Sequence, residues 1–235
     1  MYRSIFSRLL LLVLLAASPT AWAQSRWWPT GIQIGTDIAR PLYYQWYQKT
    51  GAQYECNVAI DFARVLLEGD YGWGQTTWAG RNKKTRLRSS YTSQGQYFRV
   101  GLNYNLVQDT PDKNVFFLGS RYAMSFFADE LDSRISYDKK GAVPDGRLVQ
   151  ARQPHVQARW FEAVTGFKVK VWEWLYMECT VRYKFGLQLK NTPLHLPFDI
   201  LGWGLHDETA FGVNYYLSVR IPLTRASKPS AAPAP

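Results

Sequence analysis

Past its first 23 residues the chain has no run of about 18 unbroken apolar residues, the minimum for a membrane-crossing helix. Cysteine is nearly missing: only Cys56 and Cys179 occur. Histidine is as scarce, with His155, His195 and His206 all expected in loops and at no spacing that defines a metal site. No GxSxG-type nucleophile motif accompanies them, which argues against a hydrolase. Acidic residues are outnumbered, 18 against 28 basic, for a formal charge of +10. That excess would suggest nucleic acid for an intracellular protein, but the N-terminus points elsewhere. Met1 to Ala23 has Arg3 and Arg8, an apolar centre at Leu9 to Ala17, and Ala21-Trp22-Ala23 at its end. This is the pattern of a cleaved signal peptide. No cysteine lies near the cut, so no lipid anchor is expected, and nucleic acid is not an expected partner.

What the chain does have is aromatics, 16% of residues, and long alternating segments. Trp174 to Gln188, WLYMECTVRYKFGLQ, sets Leu175, Met177, Cys179, Val181, Tyr183, Phe185 and Leu187 against Tyr176, Glu178, Thr180, Arg182, Lys184, Gly186 and Gln188. Side chains alternate faces along a strand, so this is one long strand with an oily face and a polar face. Seven further segments alternate in the same way: 31–39, 53–62, 65–74, 95–107, 115–127, 157–171 and 210–223. Long and short connections alternate between them. The long ones are an aromatic loop after the first strand, then 75–94, 128–156 and 189–209. A membrane protein without membrane helices must be a closed barrel, because lipid cannot satisfy an open backbone. The expected fold is all-β: an eight-stranded antiparallel up-and-down transmembrane β-barrel over 24–223. Short turns and both termini would be periplasmic and the long loops external. The tail 224–235, rich in Pro and Ala, is expected to be disordered.

Sidedness follows from size. The oily set is large, and eight strands enclose little room. The polar set carries Gly35, Gly72, Gly101, Gly119, Gly166, Gly186 and Gly212, which relieve crowding inside a narrow barrel. The oily set therefore faces lipid, and the polar set lines the lumen. Strands one to three place Asp37, Glu55, Asp61, Glu68 and Asp70 there. Later strands add Arg99, Arg121, Glu162, Lys168, Lys170, Glu178, Arg182, Lys184 and Arg220. Buried charges cost several kcal/mol unless paired. A lumen-spanning salt-bridge network is expected, with Glu68 or Asp70 reaching Arg99 on the adjacent strand.

Cys56 and Cys179 fall on the oily face of strands two and seven, three spacings or about 14 Å apart, too far to bridge. Both are expected to be free thiols. The loop sequence RNKKTRLR offers Arg81, Lys83, Lys84, Arg86 and Arg88 for contact with lipopolysaccharide phosphates. The apolar loop LPFDILGWG, Leu196 to Gly204, is expected to fold back over the barrel mouth; an exposed docking patch is the alternative.

GIQIGTDIARPL, VLLEGDYGWG, YFRVGLNYNL, WFEAVTGFKVKVWEWLYMECTVRYKF and FGVNYYLSVRIPL together resemble a family of predicted outer-membrane β-barrels of the Bacteroidota, classed as a domain of unknown function. The resemblance spans about Gly31 to Leu223 and implies residence in the cell outer membrane. It carries no known catalytic residues to transfer, and no cofactor is expected. The functional expectation is a barrel with a plugged polar lumen, a structural or interaction subunit working through its external loops. Outer-membrane lipid, lipopolysaccharide and other outer-membrane proteins are its expected partners. The alternatives are an enzyme acting on lipid at the rim, with His195 or His206, and a narrow pore.

Overall fold

The computed structural model describes residues 29–46, 51–62, 64–81, 88–107, 114–135 and 147–223. The signal-peptide and tail expectations lie outside these residues. The elements, in chain order, are β1 (Gly31–Asp37), α1 (Ala39–Trp46), β2 (Gly51–Phe62), β3 (Val65–Arg81), β4 (Arg88–Asn105) and β5 (Val115–Ile135). Then come β6 (Arg147–Lys170), β7 (Leu175–Lys190), the short β8 (Asp199–Ile200) and β9 (Gly204–Leu205), and β10 (Thr209–Pro222). Eight long strands close into one antiparallel barrel in the order β1-β10-β7-β6-β5-β4-β3-β2. Closure is made by β1 and β10, with Ile34 opposite Val219 and Gly35 opposite Ser218. Among the described residues no helix is long and apolar enough to cross a membrane.

Burial alternates as the period-2 pattern requires. On β4, Phe98, Val100 and Leu102 are exposed while Tyr97, Arg99 and Asn103 are buried. The oily rows of β2, β3, β5, β6, β7 and β10 likewise point outward, so the exterior is a band of Val, Leu, Ile and aromatic side chains. An apolar exterior around a polar interior is the arrangement of a barrel solvated by hydrocarbon. Val100 lies midway along the apolar row of β4. Val100→Arg is expected to destabilise the barrel in vesicles by roughly 2–4 kcal/mol, the cost of Arg at a bilayer midplane. Reversible urea unfolding measures it, and an unchanged midpoint would place that face in water.

Four sequence expectations need correction. The segments 75–94 and 128–156 are not mainly loops. The β3–β4 ladder runs on to Arg81 opposite Arg88, and the β5–β6 ladder to Ile135 opposite Arg147. These extensions stand above the apolar band, where water touches the outer face and no oily row is needed. His155 is accordingly part of β6, not of a loop.

The aromatic loop after β1 contains a helix, α1, whose start is held by Asp37: its Oδ1 accepts the Ala39 backbone N–H at 3.0 Å. The alternation of β7 fails at Gly186, which has φ +70°. That left-handed conformation suits glycine. Beyond it Leu187 and Leu189 pack against the inner cluster and Gln188 turns outward. Leu187 is therefore not lipid-facing and Gln188 does not line the lumen.

Candidate functional site

The lumen is filled in layers. At its lower end, where Thr30 and Leu223 pair, Arg220 Nε donates to Asp61 Oδ2 at 3.0 Å, and both side chains keep some exposure. Lys170, also at this rim, is only half-buried. These three charges sit at the mouth rather than inside the dry network. Above them Lys168 Nζ lies 2.9 Å from Glu178 Oε2 and 3.6 Å from Glu68 Oε1. Arg121 bridges Glu68 and Asp70 through its two terminal nitrogens. Asn103 adds a donor to Glu68 Oε2 at 2.6 Å.

The middle layer is built on Glu55. Its carboxylate accepts from Arg99 Nη2, Tyr97 OH and Tyr216 OH. Arg40 Nη1 stands 3.6 Å away and Arg182 Nη1 3.7 Å. Arg99 Nε is 3.4 Å from Asp70 Oδ2, across directly paired strands. Arg182 Nη1 is also 3.4 Å from Asp70 Oδ2 and 3.8 Å from Glu162 Oε2. Glu68 reaches past β4 to Arg121 on β5. Asp37, Glu55, Glu68, Asp70, Glu162 and Glu178 are all buried, against Arg99, Arg121, Lys168, Arg182 and Lys184. Arg40 from α1 completes the balance. Mutual pairing is what makes so many desolvated charges tolerable.

Several partners in the network are neutral. Asn57, Tyr97, Asn103, Asn214 and Tyr216 had the right parity, but neutral hydrogen-bonders carry no charge signal. Asn57 Nδ2 donates to Asp70 Oδ1 at 2.7 Å, and Asn214 Nδ2 to Asp37 Oδ2 at 2.6 Å. Arg40 lies beyond the first strand, on α1, where the period-2 pattern assigns no face.

Above the charges lies an apolar stopper. The segment 196–204 folds inward as the β8–β9 hairpin, and Ile200, Leu201 and Trp203 are buried with Tyr97, Ala123, Phe127, Val156, Ala158 and Trp160. Trp203 meets Trp160 edge-on at 5.8 Å. Lys184 Nζ donates to the carbonyls of Gly202 and Trp203, both at 2.8 Å, so one lumen cation holds the tip of the loop. Gly202 and Gly72 are both packed onto the Tyr97 ring, with no room for a Cβ at either position.

The loop is fastened again at the top. Trp78 Nε1 donates to Asp199 Oδ2 at 2.7 Å, and Tyr91 OH to Asp199 O at 3.1 Å. His195 Nε2 lies 3.1 Å from Asp129 Oδ2, and Gln153 Nε2 donates to His195 O at 2.9 Å. Ile200, Leu201 and Trp203 thus cap the mouth from within, while Leu196 and Phe198 of the same segment stay exposed.

Of the basic loop, Lys83, Lys84 and Arg86 lie outside the described residues, as does the Arg81 side chain. Arg88 is exposed where β4 begins. Cys56 is exposed, Cys179 half-buried, and both are free. Two strands, β1 and β10, stand between theirs. Among the described residues no group of three His, Cys, Asp or Glu side chains is placed to hold a metal.

Closed antiparallel walls, an oily exterior and a filled charged interior define an eight-stranded transmembrane β-barrel. The chain belongs to the family described as domain of unknown function DUF6048, whose model matches residues 1–226. No curated protein matches it. Among solved structures it is similar to Ail, the attachment invasion locus protein of Yersinia pestis, crystallised with the heparin analogue sucrose octasulfate. That match has 8% identity over 82% of this chain and 97% of Ail, with a TM-score of 0.35. It is also similar to Neisserial surface protein A, NspA, at 10% identity over 83% of this chain and 94% of NspA, with a TM-score of 0.36. At these values no residue role transfers.

Proposed function

We propose that the protein is a non-enzymatic barrel of the bacterial outer membrane that works through its outer surface and not through its lumen. The observation that carries this reading is the double closure. The β8–β9 hairpin fills the upper lumen with Ile200, Leu201 and Trp203, and a dry ion-pair network fills the rest. An eight-stranded wall leaves little room beyond its own side chains. A membrane protein of this kind meets other molecules at its wall and its outer loops. The β3–β4 and β5–β6 ladders run on beyond the apolar band, to Arg81 opposite Arg88 and to Ile135 opposite Arg147.

The rim enzyme is the weaker reading. The His195 imidazole faces Asp129 and Gln153, and its work is to tie the loop to the wall. His206 is exposed and sits beside the exposed Asp207 and Glu208.

Two measurements test the proposal. Planar-bilayer recordings of the refolded protein are expected to show no discrete conductance; regular steps would restore the pore. Replacing Arg81, Lys83, Lys84, Arg86 and Arg88 by Ser is expected to weaken lipopolysaccharide binding at least tenfold at low salt. Each basic residue near an anionic surface contributes about 1 kcal/mol. Binding that is unchanged, or unaffected by salt, would remove this loop from the contact.

A further inference from the structure

On the outer wall a groove of about 1020 Å³ runs across β2 to β6. It follows one row of the sheet: Gln53 opposite Gly74, Gly74 opposite Gly95, Gly95 opposite Phe127, and Phe127 opposite Val156. The ladder is irregular along this row. Gly74 has φ +157°, and the β5–β6 register shifts between Phe127 and Asp129. Backbone from the next strand crowds both central glycines: a Cβ at Gly74 would stand 2.2 Å from Ala52 O, and one at Gly95 2.2 Å from Phe126 O. Both glycines face the lumen side, Gly95 beside the buried Phe127, so the outer face of this row is bare backbone between two rows of outward side chains.

The groove lies between two rows of outward side chains. The lower row interleaves aromatic rings and amides, with Tyr54, Trp73, Gln96, Phe126 and Gln157 opposite one another in turn. Tyr54 and Trp73 are stacked at 5.8 Å, and Tyr71 and Trp73 at 5.6 Å. The upper row carries the amides of Gln75 and Gln94, with His155. Tyr71 OH donates to Gln96 Oε1 at 2.8 Å, which leaves the Gln96 NH₂ as a donor toward the groove. Gln75 Nε2 donates to Thr77 Oγ1 at 3.4 Å, which leaves the Gln75 carbonyl oxygen as an acceptor. The lining contains no Asp, Glu, Lys or Arg.

Its height on the wall is equally specific. Directly below on β4 are the exposed Phe98, Val100 and Leu102 of the apolar band; above on β5 and β6 are the exposed Glu130 and Arg152. The groove therefore sits where hydrocarbon gives way to headgroups on the external side.

We propose that this groove holds the uncharged sugar headgroup of an outer-leaflet glycolipid, whose acyl chains run down the wall over Phe98 and Val100. A sugar ring has apolar C–H faces that pack on aromatic rings. Its hydroxyls both donate and accept, as amides do. A phosphate would need cations, and the groove offers none. The basic β3–β4 loop and this groove then read different parts of the outer leaflet, charge in one place and sugar in the other. The inference rests on the reading that the oily wall faces lipid.

The test uses the full mature chain refolded in dodecylphosphocholine micelles doped with dodecyl maltoside. Native mass spectrometry after detergent stripping is expected to find one retained maltoside-headed molecule. Gln96→Leu combined with Gln94→Leu, and separately Trp73→Ala, are expected to lower the retained fraction at least tenfold. β-Sheet circular dichroism establishes that each variant is folded. Free maltose at the same concentration is expected not to bind, because the acyl chain supplies part of the affinity. Equal retention by wild type and the glutamine variant overturns the site. So does wild-type protein that retains no maltoside. Equal retention of a phosphoglycerol-headed lipid overturns the assignment to sugar. A wrong lipid-facing reading would show differently, as mature protein that is monomeric in water without detergent.

Discussion

Glu55→Gln is expected to destabilise the barrel by about 3–5 kcal/mol, the cost of removing one partner from a buried ion pair. The substitution keeps the side-chain shape and removes the charge on which the middle layer converges. Arg99, Tyr97 and Tyr216 all donate to this carboxylate, with Arg40 and Arg182 within 4 Å. Arg99 would keep Asp70 at 3.4 Å and Glu162 at 3.6 Å, but Asp70 is already shared with Arg121 and Arg182. The layer would be left with an uncompensated positive charge out of contact with water. Unfolding in urea from phosphatidylcholine vesicles, followed by tryptophan fluorescence, gives the number. A loss below about 1 kcal/mol would mean that water reaches the layer and screens it. The double variant Glu55→Leu with Arg99→Leu separates pairing from packing. It is expected to recover part of the loss, because a well-packed apolar pair can replace a buried ion pair at little cost.

The parts of this architecture that were legible in the sequence are those fixed by a period of two. Phe98, Val100 and Leu102 against Arg99, Gly101 and Asn103 declare a strand and two faces without reference to any other strand. Size then sorts the faces, since an eight-stranded interior accepts Gly72 and Gly101 more readily than rows of Leu and Phe.

What lies above the membrane was less legible. The strand extensions at 75–81 and 128–135 face water outside, so Gln75, Thr77 and Glu130 break the oily row while the hydrogen-bond ladder continues. Gly186 reverses the parity of β7 through one backbone angle, which residue type alone does not announce. Cross-lumen partners were the hardest to assign. That Glu68 meets Arg121 and not Arg99 depends on the depth of each strand in the barrel, set by register through closure at β1 and β10. Trp160 is an oily residue on the inward, polar face of β6. Its ring packs in the upper lumen against Trp203, and its Nε1 donates to Glu162 Oε1 at 2.7 Å.

Trp203→Ala is expected to release the loop without unfolding the wall. Trp203 is 1% exposed, packs edge-on against Trp160, and donates from Nε1 to Leu205 O at 3.1 Å. Truncating a buried Trp costs about 3–5 kcal/mol. Here the cost falls on the hairpin, because the eight-stranded ladder makes no backbone pair with β8 or β9. The local opening equilibrium should shift by that energy, raising the rate of protease cleavage within 196–204 on the order of 10²-fold or more. The urea midpoint of the barrel should move much less. Lys184 would lose the two carbonyls that fix its ammonium, so Lys184→Met in the same background should add little further cleavage, the latch being already open. Conductance is the deciding readout. The open variant should remain electrically silent, because the ion-pair layers around Glu55 and Glu68 lie below the hairpin and close the lumen on their own. Discrete currents in Trp203→Ala, absent from wild type, would make the hairpin a gate and the charged interior a path for ions.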